Sequence, residues 1–203
     1  MKKAIFIPLL LLFTVVTTLS GDELRGQFFD DTISTHGHRL VLNGLGLRQM
    51  TIFKVKVYVA ALYLEHASAD GAKILKSHEH KKLDIVFLRD VEAKDIVHSW
   101  DEGFARNCEV GCEALKPQLM RLDSLMTDVK KGQKVSFYFQ GNQFELSTPG
   151  KAPVVFDSPG FSEMILATFI GKQPPSEELK AGMLGLDKKE ATARELAASP
   201  SPP

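Results

Sequence analysis

Val55, Val57, Val59, Ala61 and Tyr63 alternate with Lys54, Lys56 and Tyr58. A period of two predicts a strand within the run Phe53 to Leu64, because successive side chains of an extended chain point to opposite faces. From Ala60 to Leu64 both faces are apolar, which predicts that this end is covered on both sides. Upstream, Arg39 to Asn43 reads as a short strand ended by Asn43-Gly44 turn chemistry. Downstream, Asp70 can cap a short helix running to Ser77. Leu83, Ile85 and Phe87 alternate again and predict a third strand.

The period changes after Arg89-Asp90. Ile96, Val97, Trp100 and Phe104 recur at helical spacing, so a helix is expected from about Glu92 to Asn107. Leu115, Leu119, Leu122 and Met126 define a second helix. Pro117 is tolerable only in its first turn, which starts it near Ala114, and Gly132 stops it. Val135, Phe137 and Phe139, the Gly141-Asn142 turn, then Phe144 and Leu146 spell a β-hairpin. Ser158-Pro159 reads as the N-cap and first residue of a helix that Gly171 closes. Its apolar face is Phe161, Met164, Ile165, Thr168 and Phe169. Pro174-Pro175 breaks the chain, and Ser176 caps a last helix that Gly185 ends. Segregated strands and helices with hairpins predict an α+β fold, a large antiparallel sheet with helices packed on one face.

The two ends of the 203-residue chain differ from this middle. Lys2 and Lys3 precede an apolar run from Ala4 to Val16, too short for a comfortable membrane helix, and Thr17 to Gly21 are mostly small. The expectation is a signal peptide over residues 1–21, cleaved near Ser20 or Gly21, a folded domain over 22–186, and a periplasmic or secreted protein without a stable membrane span after cleavage. Residues 187–203 are charged, then rich in Ala, Ser and Pro, and are expected to be a disordered tail. Without Lys2 and Lys3, 23 basic side chains face 25 acidic ones, a net charge near −2. No basic patch stands out, which excludes nucleic-acid binding as an expectation.

Candidate chemistry is sparse. The chain has no G-x-S-x-G and no H-E-x-x-H motif, and Gly44-x-Gly46 lacks the third glycine of a dinucleotide loop. No cofactor is expected. His36-x-His38 and His78-x-His80 have i, i+2 spacing, but no carboxylate or cysteine completes either pair at an evident spacing. They read as solvated histidines, and no metal site is expected. Cys108 and Cys112 would sit too far apart for a bond in a regular helix, at ~6 Å between Cβ atoms. Gly111 can break the helix and let a disulfide close, so bridge and free thiols both stay open. Thr168 on an apolar helix face either bonds back to its own helix or lines a pocket. The strongest single feature is Asn43-Gly44-Leu45-Gly46-Leu47-Arg48, read as a Gly-x-Gly turn ending in an arginine at the lip of an apolar sheet. A planar, permanently charged fork beside apolar surface suits a carboxylate on an apolar body. The competing reading is an exposed arginine in a hairpin.

Leu42 to Arg48 followed by Phe53 to Leu64 resembles the chalcone isomerase-like family. Three later pieces agree in order. They are Phe87-Leu88-Arg89-Asp90; Trp100-x-Glu102-Gly103 in a helix ending at Asn107; and Phe169-Ile170-Gly171 followed by Pro174 to Lys180. The resemblance spans about Ser34 to Gly185, and an exported version fits the bacterial branch better than the plant enzymes. It implies a large antiparallel sheet covered by a layer of α-helices, with a ligand cleft between. Arg48 matches the arginine that stabilises the attacking phenolate in the plant enzymes, and Asn107 and Thr168 match cleft residues. The strand threonine of those enzymes falls at Tyr58 and the helix tyrosine at Trp100, and indole donates one hydrogen bond but cannot accept as a phenol does.

Non-catalytic relatives hold fatty acids by the same arginine. The resemblance therefore implies a binding protein for a fatty acid or similar apolar carboxylate. Arg48 would take the head group with Tyr58 beside it, and Trp100, Phe104 and Phe161 would line the tail. The alternative it implies is an intramolecular lyase for a phenolic ligand, using Arg48, Tyr58, Asn107 and Thr168. A third reading is a cell-envelope interaction protein with a vestigial cleft, supported only by the Pro-rich tail.

Overall fold

Seven strands form one antiparallel meander, and the helices of the chain cover one of its faces. The computed structural model describes residues 21–50 and 54–187. The expected signal segment up to residue 20, the start of the strand at Phe53 and the tail from 188 onward lie outside the described residues. The large sheet takes β3 (Thr32–Thr35), β4 (His38–Met50), β5 (Val55–Leu64), β6 (Lys81–Phe87), β7 (Lys134–Gln140), β8 (Gln143–Ser147) and β9 (Val154–Asp157) in chain order. A separate hairpin of β1 (Gly21–Leu24) and β2 (Gln27–Asp30) precedes it, and Leu24 and Phe29 pack against its open face. The helices are α1 (Gly71–Lys76), α2 (Ala93–Asn107), α3 (Cys112–Leu125), α4 (Phe161–Ile170) and α5 (Glu177–Met183). This is the α+β arrangement that the spacing predicts.

Alternation decides which side chains meet the helices. Tyr58, Ala60, Leu62 and Leu64 of β5, Leu83, Ile85 and Phe87 of β6, and Val135, Phe137 and Phe139 of β7 all point to the covered face. Val59, Ala61, Tyr63 and Tyr138 point to the open face with Leu40, Leu45 and Phe29. On the covered side, the Phe144 and Phe156 rings stack at 4.7 Å, and Phe161 meets both at under 6 Å. Helix α4 lies in the middle of the helical layer, and eight of its ten residues are buried. A helix apolar on nearly every side is stable only when wrapped in this way.

Several local expectations are corrected. Asn43-Gly44 does not turn the chain: β4 runs unbroken through it, and Asn43 sits at a bulge where the register to β5 shifts. The glycines serve the opposite face of the argument. A Cβ on Gly44 would collide with the Gly182 carbonyl oxygen, and one on Gly46 with that of Leu179. Gly44-x-Gly46 therefore lets α5 lie backbone against backbone on β4, and glycine is required for close approach rather than for a turn. Helix α3 begins at Cys112 rather than near Ala114, after Gly111 at φ +74°. Helix α4 is preceded by Gly160 at φ +80°, two residues beyond the expected Ser158 cap. Asp70 and Ser176 cap α1 and α5 as expected, each accepting from the amide three residues on.

Candidate functional site

Arg48 and Tyr58 are register partners on β4 and β5. Cross-strand partners share a face, and Tyr58 packs on the covered-face core, edge-on to Phe87 at 5.9 Å. Directly beyond this pair the register shifts, Gln49 pairing with Lys56, so Val57 is the extra residue and re-aims the strand end. Arg48 is half-buried. Its Nη1 donates to the carbonyls of Gln49 at 2.8 Å and of Pro175, in the α4–α5 connection, at 3.0 Å. Among the described residues no carboxylate pairs with it. A guanidinium has five N–H groups in a fixed fork, and among the described residues these two backbone carbonyls leave most of them free. Burial pushes the Tyr58 phenol well above its ordinary value, and the charge of Arg48 pulls the other way. Tyr58 therefore stays protonated and can donate.

The other expected cleft residues are engaged with backbone. Asn107 Nδ2 donates to the Gly103 and Gln173 carbonyls at 3.0 and 2.8 Å, and its Oδ1 accepts from the Gln173 amide at 3.0 Å. It fastens the end of α2 to the α4–α5 connection, the same connection that Arg48 grips through Pro175. Thr168 Oγ1 donates to Ile165 O at 2.7 Å, the back-bonded arrangement, and its methyl side lies against Gly103 where α2 and α4 touch. Trp100 and Phe104 are buried in the core. Trp100 meets Phe137 and Phe169 edge-on at 5.6 and 5.7 Å, and its Nε1–H has no hydrogen-bond partner among the described residues. Phe161 is fully buried in the cluster with Phe144 and Phe156, so it belongs to the packed core.

The structure thus brings Arg48 and Tyr58 together and sets Asn107 one loop away. Cavities of about 140 and 330 Å³ lie elsewhere, around α1, and none of the seven expected site residues lines them. Cys108 and Cys112 are bridged, with Cα atoms 5.8 Å apart, because Gly111 interrupts the two helices between them. The histidine pairs do not act as pairs. One member of each, His38 and His80, meets Glu65 on the open face. Asn43, unremarked as more than a turn residue, is a second buried clasp: Nδ2 donates to Met183 O at 2.9 Å and Oδ1 accepts from the Ser68 amide at 2.8 Å.

The model of chalcone isomerase-like proteins matches residues 21–185. The chain belongs to the chalcone isomerase-like family. No curated protein sequence matches it. Among solved structures it is similar to a fatty-acid binding protein of Arabidopsis thaliana. The TM-score is 0.61 at 14% identity, over 82% of this chain and 96% of that one. At that identity the likeness concerns the fold. Among the described residues no helix is long and apolar enough to cross a membrane.

Proposed function

We propose that this chain is an exported protein that binds a fatty acid or a similar apolar carboxylate on the helix-covered face, with the head group at Arg48. One observation carries the reading: the half-buried guanidinium of Arg48 has no carboxylate partner among the described residues and stands beside the protonated hydroxyl of Tyr58 at the edge of an apolar core. The two groups offer a charged fork and a neutral donor, which suits a carboxylate. The similarity to a solved fatty-acid binding protein supports the same reading. Export rests on Lys2, Lys3 and the apolar run to Val16. The space expected for a tail is occupied by Trp100, Phe104, Phe137 and Phe169, so a bound chain enters by displacing side chains beneath α2 and α4.

Ring closure of a phenol onto an enone has less support. Asn107 and Thr168 are bound to backbone, and the resemblance sets Trp100, whose indole cannot accept a hydrogen bond, at the position of the enzymes' helix tyrosine. Native mass spectrometry of the full chain purified from its own host, with extracted lipids identified, tests the binding reading. A fatty acid should accompany the wild type. Charge-assisted hydrogen bonds contribute ~1.5–3 kcal/mol, so Arg48→Ala should weaken binding about 10- to 100-fold. A wild-type protein that arrives empty and binds no fatty acid at micromolar concentration sinks the proposal. Turnover of a chalcone, abolished by Arg48→Ala, would establish the lyase instead.

A further inference from the structure

At the opposite end of the sheet, and on its open face, three donors converge that are far apart in the chain. An antiparallel meander sets the start of β4, the end of β5 and the start of β6 side by side. His38, Glu65 and His80 occupy those positions, and one donor atom from each lies within 4.8 Å of the others. The two imidazoles stack with centroids 3.5 Å apart. His38 Nδ1 lies 3.0 Å from Glu65 Oε1, and the His80 amide donates to Glu65 Oε2 at 3.3 Å.

Around this trio the side chains are arranged rather than merely near. Tyr138 Oη lies 2.7 Å from His80 Nδ1. With Nδ1–H donating to the Tyr138 oxygen, the ring's lone pair is on Nε2, the tautomer of a metal-binding imidazole whose other nitrogen is fixed by a neighbour. His36 stacks on Tyr138 at 4.0 Å, with its Nε2 3.7 Å from Glu145. It occupies the first position of the two-residue β3–β4 turn at φ +49°, followed by Gly37 at φ +80°, where asparagine or glycine is the usual choice.

We propose that His38, Glu65 and His80 bind a borderline divalent cation of the zinc class, with Tyr138 orienting His80 and His36 at the mouth. Two imidazole nitrogens and a carboxylate oxygen suit zinc, copper or nickel, whereas magnesium and calcium prefer oxygen alone. Three protein donors leave a fourth position to water or to His36. For bonds of ~2.0–2.2 Å in a tetrahedral site the donors must draw in to ~3.3 Å of one another. The His38 side chain is 41% exposed and that of Glu65 23%, so side-chain rotation alone can achieve this. A bound ion would tie three strands together at one end of the sheet. The site shares no residue with the Arg48 region and does not depend on the carboxylate reading.

Titration of the full chain with Zn²⁺ against a competing chelator, and with Co²⁺ followed by visible absorbance, tests the proposal. One equivalent should bind with a Kd of about 1 µM or tighter, and Co²⁺ should show the intense bands of four-coordination. Glu65→Gln and His80→Ala should each weaken binding about 100-fold, and Tyr138→Phe about 10-fold, as expected for a group behind the ligand. His78→Ala, an exposed neighbour, should change nothing, and neither Mg²⁺ nor Ca²⁺ should compete. Circular dichroism of each variant separates lost ligands from lost fold. No Zn²⁺ or Co²⁺ uptake by the wild type overturns the site, as does uptake undiminished in a folded His38→Ala/His80→Ala double variant.

Discussion

On the helix-covered face of the sheet, Asn43, Asn107 and Thr168 each bond to backbone; on the open face, His38, Glu65, His80 and Tyr138 bond to one another. The difference follows from water. Beneath the helices a polar side chain must find a partner in the chain, and the nearest are the loose carbonyls and amides of helix ends and loops. Such residues become clasps, and a group left with spare capacity stands out. Arg48 is that group at one end of β4, and the Trp100 indole N–H is another. At the strand ends of the open face, where His38, Glu65 and His80 are only partly buried, water can satisfy a single group, so spare capacity carries no message there. Convergence does, because water offers no reason for two imidazoles, a carboxylate and a phenol to gather.

The comparison breaks most visibly at the glycines that let α5 lie on the covered face. Gly46→Val should be the most damaging substitution, since its Cβ would meet a backbone carbonyl of α5 that cannot rotate away. A loss of about 3 kcal/mol or more is expected in urea denaturation. An unchanged midpoint would mean that α5 lifts off the sheet at little cost and that the layer is not closed by backbone contact. Asn43→Ala comes next. It leaves the Ser68 amide and the Met183 carbonyl without their partner, 140 residues apart from end to end of that clasp's longer arm. The expected loss is ~2–3 kcal/mol, again read by urea denaturation. A loss below about 0.5 kcal/mol would show that these backbone groups turn to water, and that the covered face treats polar groups as the open face does.

What the sequence made legible follows from how local each signal is. Alternation at Val55 to Tyr63, the stripe Ile96, Val97, Trp100 and Phe104, and the caps Asp70 and Ser176 are read within one or two turns of chain, and the structure has them. Gly44-x-Gly46 misleads because a glycine chosen for close approach looks the same as one chosen for a turn; its reason lies at Leu179 and Gly182, on a helix far down the chain. β1, β2, β3 and β9 have only four residues each, too few for a period to declare itself. The Arg48–Tyr58 pair was accessible through the family resemblance, while the engagement of Asn107 and Thr168 with backbone needed coordinates. The His38, Glu65 and His80 trio escapes a search for i, i+2 pairs because its members sit on three strands. A usable signal existed: in an antiparallel meander, the residue that opens one strand, the one that closes the next and the one that opens the third share an end of the sheet.

The smallest effect concerns two carboxylates, one under each regime. On the open face Glu65 is pulled down: burial pushes it up, but the His80 amide and the His38 ring outweigh it. In the helical layer Asp123 of α3 goes the other way, to about 6, because burial disfavours its charge and Asp101 on α2 adds repulsion. Its Oδ1 is buried with no hydrogen-bond partner among the described residues. The folded chain therefore holds a proton on Asp123 between its ordinary value of 3.8 and about 6, where the unfolded chain has released it. The stability this group allows is fully present below pH 4 and is lost as pH rises through about 6. Asp123→Asn removes the charge and keeps the shape. Thermal melts from pH 4 to 8 should show the variant equal to wild type at the acid end and more stable above pH 6, by at most about 1 kcal/mol once solvent screening is allowed for. Curves that stay parallel across that range would mean that water reaches Asp123 freely. The helical layer would then be open at α3, and the contrast between the two faces would stop at that edge.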